Sequence, residues 1–246
     1  MKITFLGTGH GVPSGERSCA STMIEVADAL YLVDAGASVS EKIMQCGREI
    51  TDVRSVFTTH AHTDHVAGIF HLADLYNWRY RDSEIDIFMT EESVVQAFDK
   101  LLCVTTRELD RARVKFHTVT HEFLYDDGNV RVSLYPTKHL EIIDRPSYGV
   151  LFESDGKRIY FSGDLSQHIE LDDFPPVHLT AGADLFVCEL AHFTIDEVRP
   201  YLERCGARRV AFTHVYPLSK YEEMRTAFSD LDFELLAPSD MDELEL

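Results

Sequence analysis

Short apolar runs that end in turn residues recur along the whole chain, and they constrain its fold more than any other feature. The runs are rich in Val, Ile, Phe and Tyr and have the length of β-strands. They read KITFLG, ASTMIEV, ALYLVDAG, VRSVFTTH, EIDIFMT, VKFHTVT, VRVSLYPT, SYGVLFES, RIYFSGD, ADLFVCEL, RVAFTHV and FELLAP. Helical segments separate several of them, so the order predicts an α/β (α+β) fold with two sheets and helices outside.

Capping signals predict where the helices begin. A hydroxyl residue followed three positions later by a glutamate occurs as Ser38 with Glu41, Thr194 with Glu197, and Ser219 with Glu222. The first helix should end near Gly47 and the second near Gly206. Two more helices are predicted at about residues 65–79 and 91–103. No linker or internal repeat divides the chain, so we interpret residues 1–246 as a single domain.

Charge and cysteine usage exclude several classes of protein. The 246 residues include 23 basic and 42 acidic side chains, a formal net charge of -19. A surface this acidic repels polyanions, so we do not expect a broad nucleic-acid interface. Five cysteines without a Cys-x-x-Cys pair favour reduced thiols over disulfides or a cysteine-bound zinc. Because no signal peptide and no apolar run of membrane-spanning length is visible, we expect a cytoplasmic protein with no membrane partner.

Histidines and carboxylates follow several predicted strands at the point where each strand ends. They are His60, His62, Asp64 and His65 in THAHTDH, then His139, Asp164 and His214. Neutral imidazole and carboxylate groups are ligands for Zn²⁺, and also for Mn²⁺ and Fe²⁺. Seven such groups are too many for one tetrahedral ion. They favour two ions that share a bridging carboxylate.

This pattern resembles the metallo-β-lactamase superfamily, and the matching segments THAHTDH, His139, SGD and FTHV occur in the right order over almost the whole chain. The resemblance implies a four-layer αββα sandwich of two mixed β-sheets. It implies that His60, His62 and His139 hold one metal ion, and that Asp64, His65 and His214 hold the other. Asp164 would bridge them. The implied cofactors are two divalent ions per chain, Zn²⁺ or Mn²⁺, with Fe²⁺ also accepted.

The opening FLGTGHGVPSGERSCAST and the segment ADLFVCELAHFT resemble the RNase Z branch, which processes tRNA 3′ ends, and its phosphodiesterase relatives. Glu189 stands where that branch keeps an acid. His192 lies 22 residues before His214, the interval at which that branch places its catalytic histidine. The resemblance therefore implies catalytic roles for Asp64, Glu189 and His192. The alternatives are a buried acid that binds backbone amides for Glu189, and a histidine of the helix-capping region for His192.

The tRNA-binding arm that many RNase Z enzymes insert has no counterpart here. Only 25 residues separate His139 from Asp164, which is enough for the hairpin SYGVLFESDGKRIYFSG. Together with the acidic composition, this argues against tRNA as the substrate. We expect a small, anionic substrate molecule as the partner, and the resemblance to a branch that is often dimeric allows a homodimer.

The favoured function is that of a metal-dependent phosphodiesterase acting on a small phosphodiester. Two ions would lower the pKa of a water molecule, Asp64 would orient or deprotonate that water, and His192 would protonate the leaving oxygen. The metal ligands alone do not distinguish this from the hydrolysis of a carbonyl substrate, such as a lactone, thioester or β-lactam. The third alternative is a non-catalytic metal-binding sensor domain.

The remaining histidines carry weaker signals. The segment GTGHG lacks the complete G-x-G-x-x-G pattern, so we interpret it as a tight turn beside the metals. A role for His10 behind the ligands or against the substrate is the less favoured alternative. His71 is predicted to be partly buried, on a helix face with Leu75 and Trp78. No motif includes His117, His121, His168 or His178.

Overall fold

The computed structural model describes residues 1–106, 108–120, 123–167 and 173–246, and within them the chain forms two β-sheets of seven strands each. In chain order the strands are β1 (Lys2–Gly7), β2 (Ser21–Val26), β3 (Ala29–Ala35), β4 (Val53–Phe57), β5 (Ile85–Met89), β6 (Val114–Thr118), β7 (Leu124–Asp126), β8 (Arg131–Pro136), β9 (Tyr148–Ser154), β10 (Lys157–Phe161), β11 (Leu185–Leu190), β12 (Arg209–Val215), β13 (Glu234–Leu236) and β14 (Glu243–Glu245).

Both sheets are mixed. The first has the order β14-β1-β2-β3-β4-β5-β6, with antiparallel pairs up to β3 and parallel pairs from β3 to β6. The second has the order β13-β12-β11-β10-β9-β8-β7, parallel from β13 to β10 and antiparallel from there to β7. The predicted hairpin, formed by β9 and β10, lies between His139 and Asp164.

Helices cover the outer faces of both sheets. They are α1 (Val39–Gln45), α2 (Thr63–Trp78), α3 (Glu92–Thr106), α4 (Val177–Thr180), α5 (Ile195–Cys205) and α6 (Lys220–Ala227), with short 3₁₀ helices at Ile50–Asp52 and Glu141–Ile143. Side chains of α1 to α3 pack on the first sheet, and side chains of α4 to α6 pack on the second. A third cluster, which includes Phe5, Phe57 and Phe152, lies between the sheets. These four layers confirm the predicted αββα sandwich.

Burial explains why the central strands read as continuous apolar runs. Every residue of β11 is buried, and so is every residue of β3 after Ala29. A strand with a second sheet on one face and helices on the other has no solvent side, so its sequence does not alternate between polar and apolar residues.

The helix starts agree with prediction more closely than their caps do. Thr194 and Glu197 form the predicted capping box at α5, which ends at Gly206 with a φ of 66°. The capping boxes predicted at Ser38 and Ser219 are wrong, although α1 and α6 begin directly after these residues. Ser38 has a φ of 71° and Ser219 is helical, and neither side chain caps a backbone N–H. In these conformations the hydroxyl does not reach the third residue of the helix.

The start of α2 lies very close to the end of β3 because two glycines meet there. A Cβ atom at Gly68 would lie 2.2 Å from the carbonyl oxygen of Gly36, and one at Gly36 would lie 2.4 Å from the carbonyl oxygen of Asp64. Any larger residue would push the helix away from the sheet. This contact brings the first turn of α2, with Asp64 and His65, to the edge of the first sheet.

Two backbone hydrogen bonds join the sheets at this same end of the sandwich. His214 N donates to the carbonyl oxygen of Thr8, and Tyr148 N donates to that of Thr59. Thr8 and Thr59 follow strands of the first sheet, whereas His214 and Tyr148 belong to the second. The loops that follow β1 and β4 are therefore fixed to both sheets. None of the helices in the described residues is long and apolar enough to cross a membrane.

Candidate metal centre

The seven predicted ligand residues converge at the end of the sandwich where the central strands end. β4 leads to the segment from His60 to His65, β8 to His139, β10 to Asp164 and β12 ends near His214. The residues form two groups in which the potential ligand atoms lie within 4.8 Å of one another. The structure thus brings together every residue that the motif singled out.

The first group contains His60, His62, His139 and Asp164. His139 Nε2 lies 3.3 Å from His62 Nδ1 and 3.7 Å from Asp164 Oδ2. His60 Nε2 also lies 3.7 Å from Asp164 Oδ2. Spacings of 3.7 Å are too long for hydrogen bonds. They are close to the roughly 3.4 Å between ligand atoms of a tetrahedral ion with bonds of about 2.1 Å.

The second group contains Asp64, His65 and His214. Asp64 Oδ2 lies 3.1 Å from His214 Nε2 and 3.4 Å from His65 Nε2. The loop after β1 closes over this carboxylate, because a Cβ atom at Gly11 would lie only 2.9 Å from Asp64 Oδ2. A residue with a side chain would displace either the loop or Asp64.

Asp164 faces both groups, with one carboxylate oxygen toward each. Its Oδ2 is the oxygen near His60 and His139. Its Oδ1 lies 3.6 Å from His65 Nε2 and 3.6 Å from His214 Nδ1. The side chain is almost completely buried, so water does not solvate it. This is the arrangement of a carboxylate shared between two cations.

Hydrogen bonds on the far side of three rings direct Nε2 toward the groups. His65 Nδ1 donates to Asp34 Oδ2 at 2.7 Å, and His139 Nδ1 donates to the carbonyl oxygen of Leu165 at 3.0 Å. His60 Nδ1 lies 3.0 Å from Thr59 Oγ1. A partner on one ring nitrogen fixes the tautomer and leaves the lone pair of the other nitrogen for a metal ion.

The free nitrogen atoms fit a divalent metal. Among the described residues, His60 Nε2, His65 Nε2 and His214 Nδ1 are buried polar atoms without a hydrogen-bond partner. Burial lowers the pKa of His60 well below its ordinary value, and it lowers the pKa of His62 and His139 as well. Neutral imidazole is the form that binds a metal ion. Buried atoms of this kind need a partner, and a cation would supply it.

Asp34 belongs to this site, although no sequence motif points to it. Its carboxylate accepts hydrogen bonds from His65 Nδ1, Thr59 N and Thr59 Oγ1. Its φ of 58° lies in the left-handed region, as does the φ of 52° of His214. The sequence does contain one signal for Asp34, because it is an aspartate in the otherwise apolar run ALYLVDAG. A strand that is covered on both faces does not tolerate a carboxylate without hydrogen-bond partners.

Glu189 and His192 are paired by the turn after β11. His192 Nδ1 donates to Glu189 Oε1 at 2.8 Å. The same carboxylate accepts backbone N–H groups from Leu165, Ala191 and His192. Both interpretations of Glu189 therefore describe real contacts, because it orients His192 and also binds backbone amides.

His192 Nε2 faces the metal ligands, at 3.9 Å from Asp164 Oδ2. His192 also forms a third group of potential ligands with Asp164 and His214. Burial alone would lower the pKa of His192, but the hydrogen bond and charge of Glu189, together with Asp164, raise it to about 9. The side chain is only partly buried, and so are Asp64 and His139, while His62 is exposed. A substrate would approach from this open side.

The other histidines divide into one neighbour of the site and several that lie elsewhere. His10 lies beside His214, with ring centroids 4.7 Å apart. His71 is exposed, so its predicted burial is wrong; α2 turns Val66, Ile69 and Ala73 toward the sheet and leaves His71 on the opposite side. His117 Nε2 lies 2.7 Å from Asp86 Oδ1 and belongs to none of the groups of potential ligands among the described residues. His121 and His168 lie outside the described residues.

Known proteins share this fold and sequence pattern. A metallo-β-lactamase fold protein, YhfI from Bacillus subtilis, superposes with a TM-score of 0.81 at 18% identity, covering 99% of this chain and 98% of that one. A diphosphatase from the PhnP family gives a TM-score of 0.72 at 19% identity, covering 100% and 96%. The ribonuclease Z of Mycobacterium sp. (strain KMS) is 25% identical over 247 residues, which covers 88% of this chain and 85% of the relative.

These similarities confirm the metallo-β-lactamase fold and the likeness to the RNase Z branch. A family model described as anti-Pycsar protein Apyc1 matches residues 1–198, which include every predicted ligand except His214. The chain therefore belongs to the anti-Pycsar protein Apyc1 family.

Proposed function

We propose that this protein is a metal-dependent phosphodiesterase with a dinuclear centre that acts on a small phosphodiester. The observation that carries the proposal is the position of Asp164, whose two carboxylate oxygens face two separate groups of imidazoles. His60, His62 and His139 would hold one ion, and Asp64, His65 and His214 the other. The donor set of imidazole and carboxylate suits Zn²⁺ or Mn²⁺, and it accepts Fe²⁺.

Two bound divalent ions would provide a nucleophile from water near neutral pH and would stabilise negative charge on the phosphoryl oxygens. Asp64 lies at the boundary between the buried ligands and the open side of the site. From there its carboxylate orients the attacking water and accepts its proton. The attacking oxygen forms a bond to phosphorus while the bond from phosphorus to the leaving oxygen breaks.

His192 supplies the proton that the leaving oxygen needs. Glu189 holds Nδ1 of the ring, so Nε2–H points to the side where Asp164 and the substrate meet. Transfer of this proton turns a poor alkoxide leaving group into an alcohol, a contribution of about 10²–10⁴-fold for such an acid. Among known proteins, the similarity to a ribonuclease Z and to a diphosphatase supports a phosphate ester over a carbonyl substrate.

A small substrate is favoured over RNA for two reasons. The segment between His139 and Asp164 contains a 3₁₀ helix and the β9–β10 hairpin and no projecting arm in its described residues. The net charge of -19 opposes the approach of a polyanion much more than that of a monoanionic diester. Cytoplasmic location and a homodimer stay predictions.

One panel of substrates tests the proposal. The protein, reconstituted with Mn²⁺ or Zn²⁺, is assayed on bis-p-nitrophenyl phosphate, a nitrophenyl ester, a lactone and a thioester, with pre-tRNA as a fifth substrate. The proposal predicts hydrolysis of the diester and poor cleavage of pre-tRNA at physiological salt. Preference for the lactone or thioester would identify a carbonyl hydrolase instead. Inactivity of the metal-loaded protein on all five would favour a sensor domain.

A further inference from the structure

His10 is a polar side chain at the open side of the site. It is not one of the proposed metal ligands, and it has no role in the proposed reaction. It follows β1 in the loop that closes over Asp64, next to Gly11. The loop is held from behind, because Gly9 N donates to the carbonyl oxygen of Ser18 and Thr8 accepts from His214 N. His10 itself is half-buried, so it borders both the protein and the open side.

Contacts on two sides fix the His10 ring. Its Nδ1 accepts the backbone N–H of Val12 at 3.0 Å. One face stacks on Tyr216, with centroids 4.9 Å apart and planes inclined by 22°. Because Nδ1 is an acceptor, the neutral ring carries its hydrogen on Nε2. Within the described part of the chain, Nε2 has no hydrogen-bond partner.

The position of His10 matches a group that binds the substrate rather than a metal ion. It belongs to none of the groups of potential metal ligands found among the described residues. Its ring centroid lies 6.0 Å from that of His192 and 4.7 Å from that of His214. The Nε2–H of His10 has no partner in the described residues, and its ring lies close to that of His192, the proposed acid. It is therefore suited to donate to a second oxygen of the same substrate group that His192 contacts.

We propose that His10 is a substrate-binding residue, whose Nε2–H donates a hydrogen bond to a non-bridging oxygen of the substrate phosphoryl group. This inference rests on the proposed function, because it assigns His10 to the same reacting group as His192. A charged oxygen without a metal ligand needs such a donor once the site excludes water. His10 and His192 would then flank the phosphoryl group on the side opposite the buried ligands.

Two substitutions separate this role from a role in shaping the loop. His10→Asn keeps an acceptor for Val12 N–H, since an asparagine oxygen binds the N–H two residues later, but its amide is too short to reach the substrate. His10→Phe keeps the ring stacked on Tyr216 and removes both nitrogen atoms. His71→Asn, on the exposed side of α2, is the matched control for the loss of a histidine.

The measurements are the affinity of the metal-loaded proteins for inorganic phosphate, by calorimetry, and kcat/KM for bis-p-nitrophenyl phosphate. Metal content and thermal unfolding show whether each variant is intact. Both His10 variants should bind phosphate and process the diester about 10- to 100-fold less well, as expected when a hydrogen bond to a charged oxygen is lost. The metal content of both His10 variants should match that of the wild type. The His71→Asn protein should match the wild type in all of these measurements.

Wild-type behaviour of His10→Asn would overturn the inference, because the residue would then serve only the turn at Val12. A wild-type protein that binds no phosphate would overturn it as well. If the wild type hydrolyses no diester, the proposed function fails separately, and the comparison of phosphate affinities still decides the role of His10.

Discussion

The ring of His192 is fixed by Glu189, which accepts the hydrogen of Nδ1 at 2.8 Å and is itself held by three backbone N–H groups. A rigidly held carboxylate determines both the tautomer and the direction of the imidazole. The Nε2–H that results points toward Asp164, where the reacting group of a substrate would lie. This geometry supports the proposed role of His192 as the proton donor.

His192→Ala should reduce activity most on substrates with poor leaving groups. An alkyl phosphodiester releases an alkoxide, which needs a proton, so its rate should fall by about 10²-fold or more. The rate on bis-p-nitrophenyl phosphate should fall much less, because p-nitrophenolate leaves without a proton. The measurement is kcat/KM on both substrates, together with metal content.

A purely structural His192 predicts a different result, namely equal losses on both substrates. Thr194→Ala is the matched control, because it removes the cap of α5 and costs about 1 kcal/mol of stability without touching the site. Loss of metal from His192→Ala would show that His192 is a ligand, in the third group with Asp164 and His214.

Asp164→Ala should impair the protein more than the loss of any single histidine. The Asp164 carboxylate faces both groups, and in the proposed centre it would offset the repulsion between two cations. Removal of the exposed His62 leaves the other ligands of its group in place, so His62→Ala is the suitable comparison. Metal content after reconstitution and activity on the diester check this. Full metal content and activity in Asp164→Ala would show that Asp164 is no bridge.

Asp34→Asn should weaken metal binding although Asp34 faces no metal directly. An asparagine amide cannot accept from Thr59 N and from His65 Nδ1 as the carboxylate does, so the His65 ring loses its fixed tautomer. The expected loss in metal affinity is about 10- to 100-fold. A metal titration of the variant, with the exposed Asp82→Asn as control, measures it. Unchanged affinity would assign Asp34 a role in strand packing alone.

Histidines and carboxylates at the ends of predicted strands indicated most of the candidate site. Local sequence rules did not predict Asp34 or the pairing of Glu189 with His192. His60, His139, Asp164 and His214 could be grouped because parallel strands of a layered fold end at one edge. Asp34 could not be predicted because its function depends on a hydrogen bond with His65, which lies 31 residues later in the chain. The pairing of Glu189 with His192 depends on the turn after β11, which spacing alone does not specify.

The fold was predictable to a similar degree. The apolar runs predicted every strand in the described residues except β7 and β14, because a strand buried on both faces is a nearly continuous run of apolar residues. β14 has the sequence Glu-Leu-Glu, and it exists because it pairs with β1 across the whole length of the chain. Such pairing leaves no local signal. The predicted caps at Ser38 and Ser219 fail because neither residue has the extended backbone of a capping residue, and the Ser-x-x-Glu pattern does not specify that backbone.

Asp240 ties the C-terminal segment to the loop that carries His10, and its contribution to stability should depend on pH. It accepts hydrogen bonds from Thr8 N, Ser18 N and Lys42 Nζ. Burial alone would raise the pKa of Asp240, but the hydrogen bonds from Ser18 and Thr8 lower it below the ordinary value. A lowered pKa in the folded state means that the stabilisation is present above the unfolded pKa of about 3.9 and is lost as the pH falls through the folded value.

Asp240→Asn should therefore be less stable than the wild type by about 1.5–3 kcal/mol at pH 7, since hydrogen bonds to a charged group are lost. The difference should shrink as the pH falls below about 4. Urea unfolding of both proteins with a chelator present, at a series of pH values, measures the free energy of unfolding. A difference that stays constant down to the lowest pH would contradict this assignment.

In the proposed reaction, two divalent ions held by the groups that share Asp164 enable the hydrolysis of a phosphodiester. The most direct measurement is the rate of bis-p-nitrophenyl phosphate hydrolysis while Mn²⁺ or Zn²⁺ is titrated into chelator-treated protein. We predict no activity without metal and a rise to a plateau at two equivalents per chain. Activity that survives complete removal of metal, a plateau at one equivalent, or a metal-saturated protein that leaves the diester intact would contradict the claim.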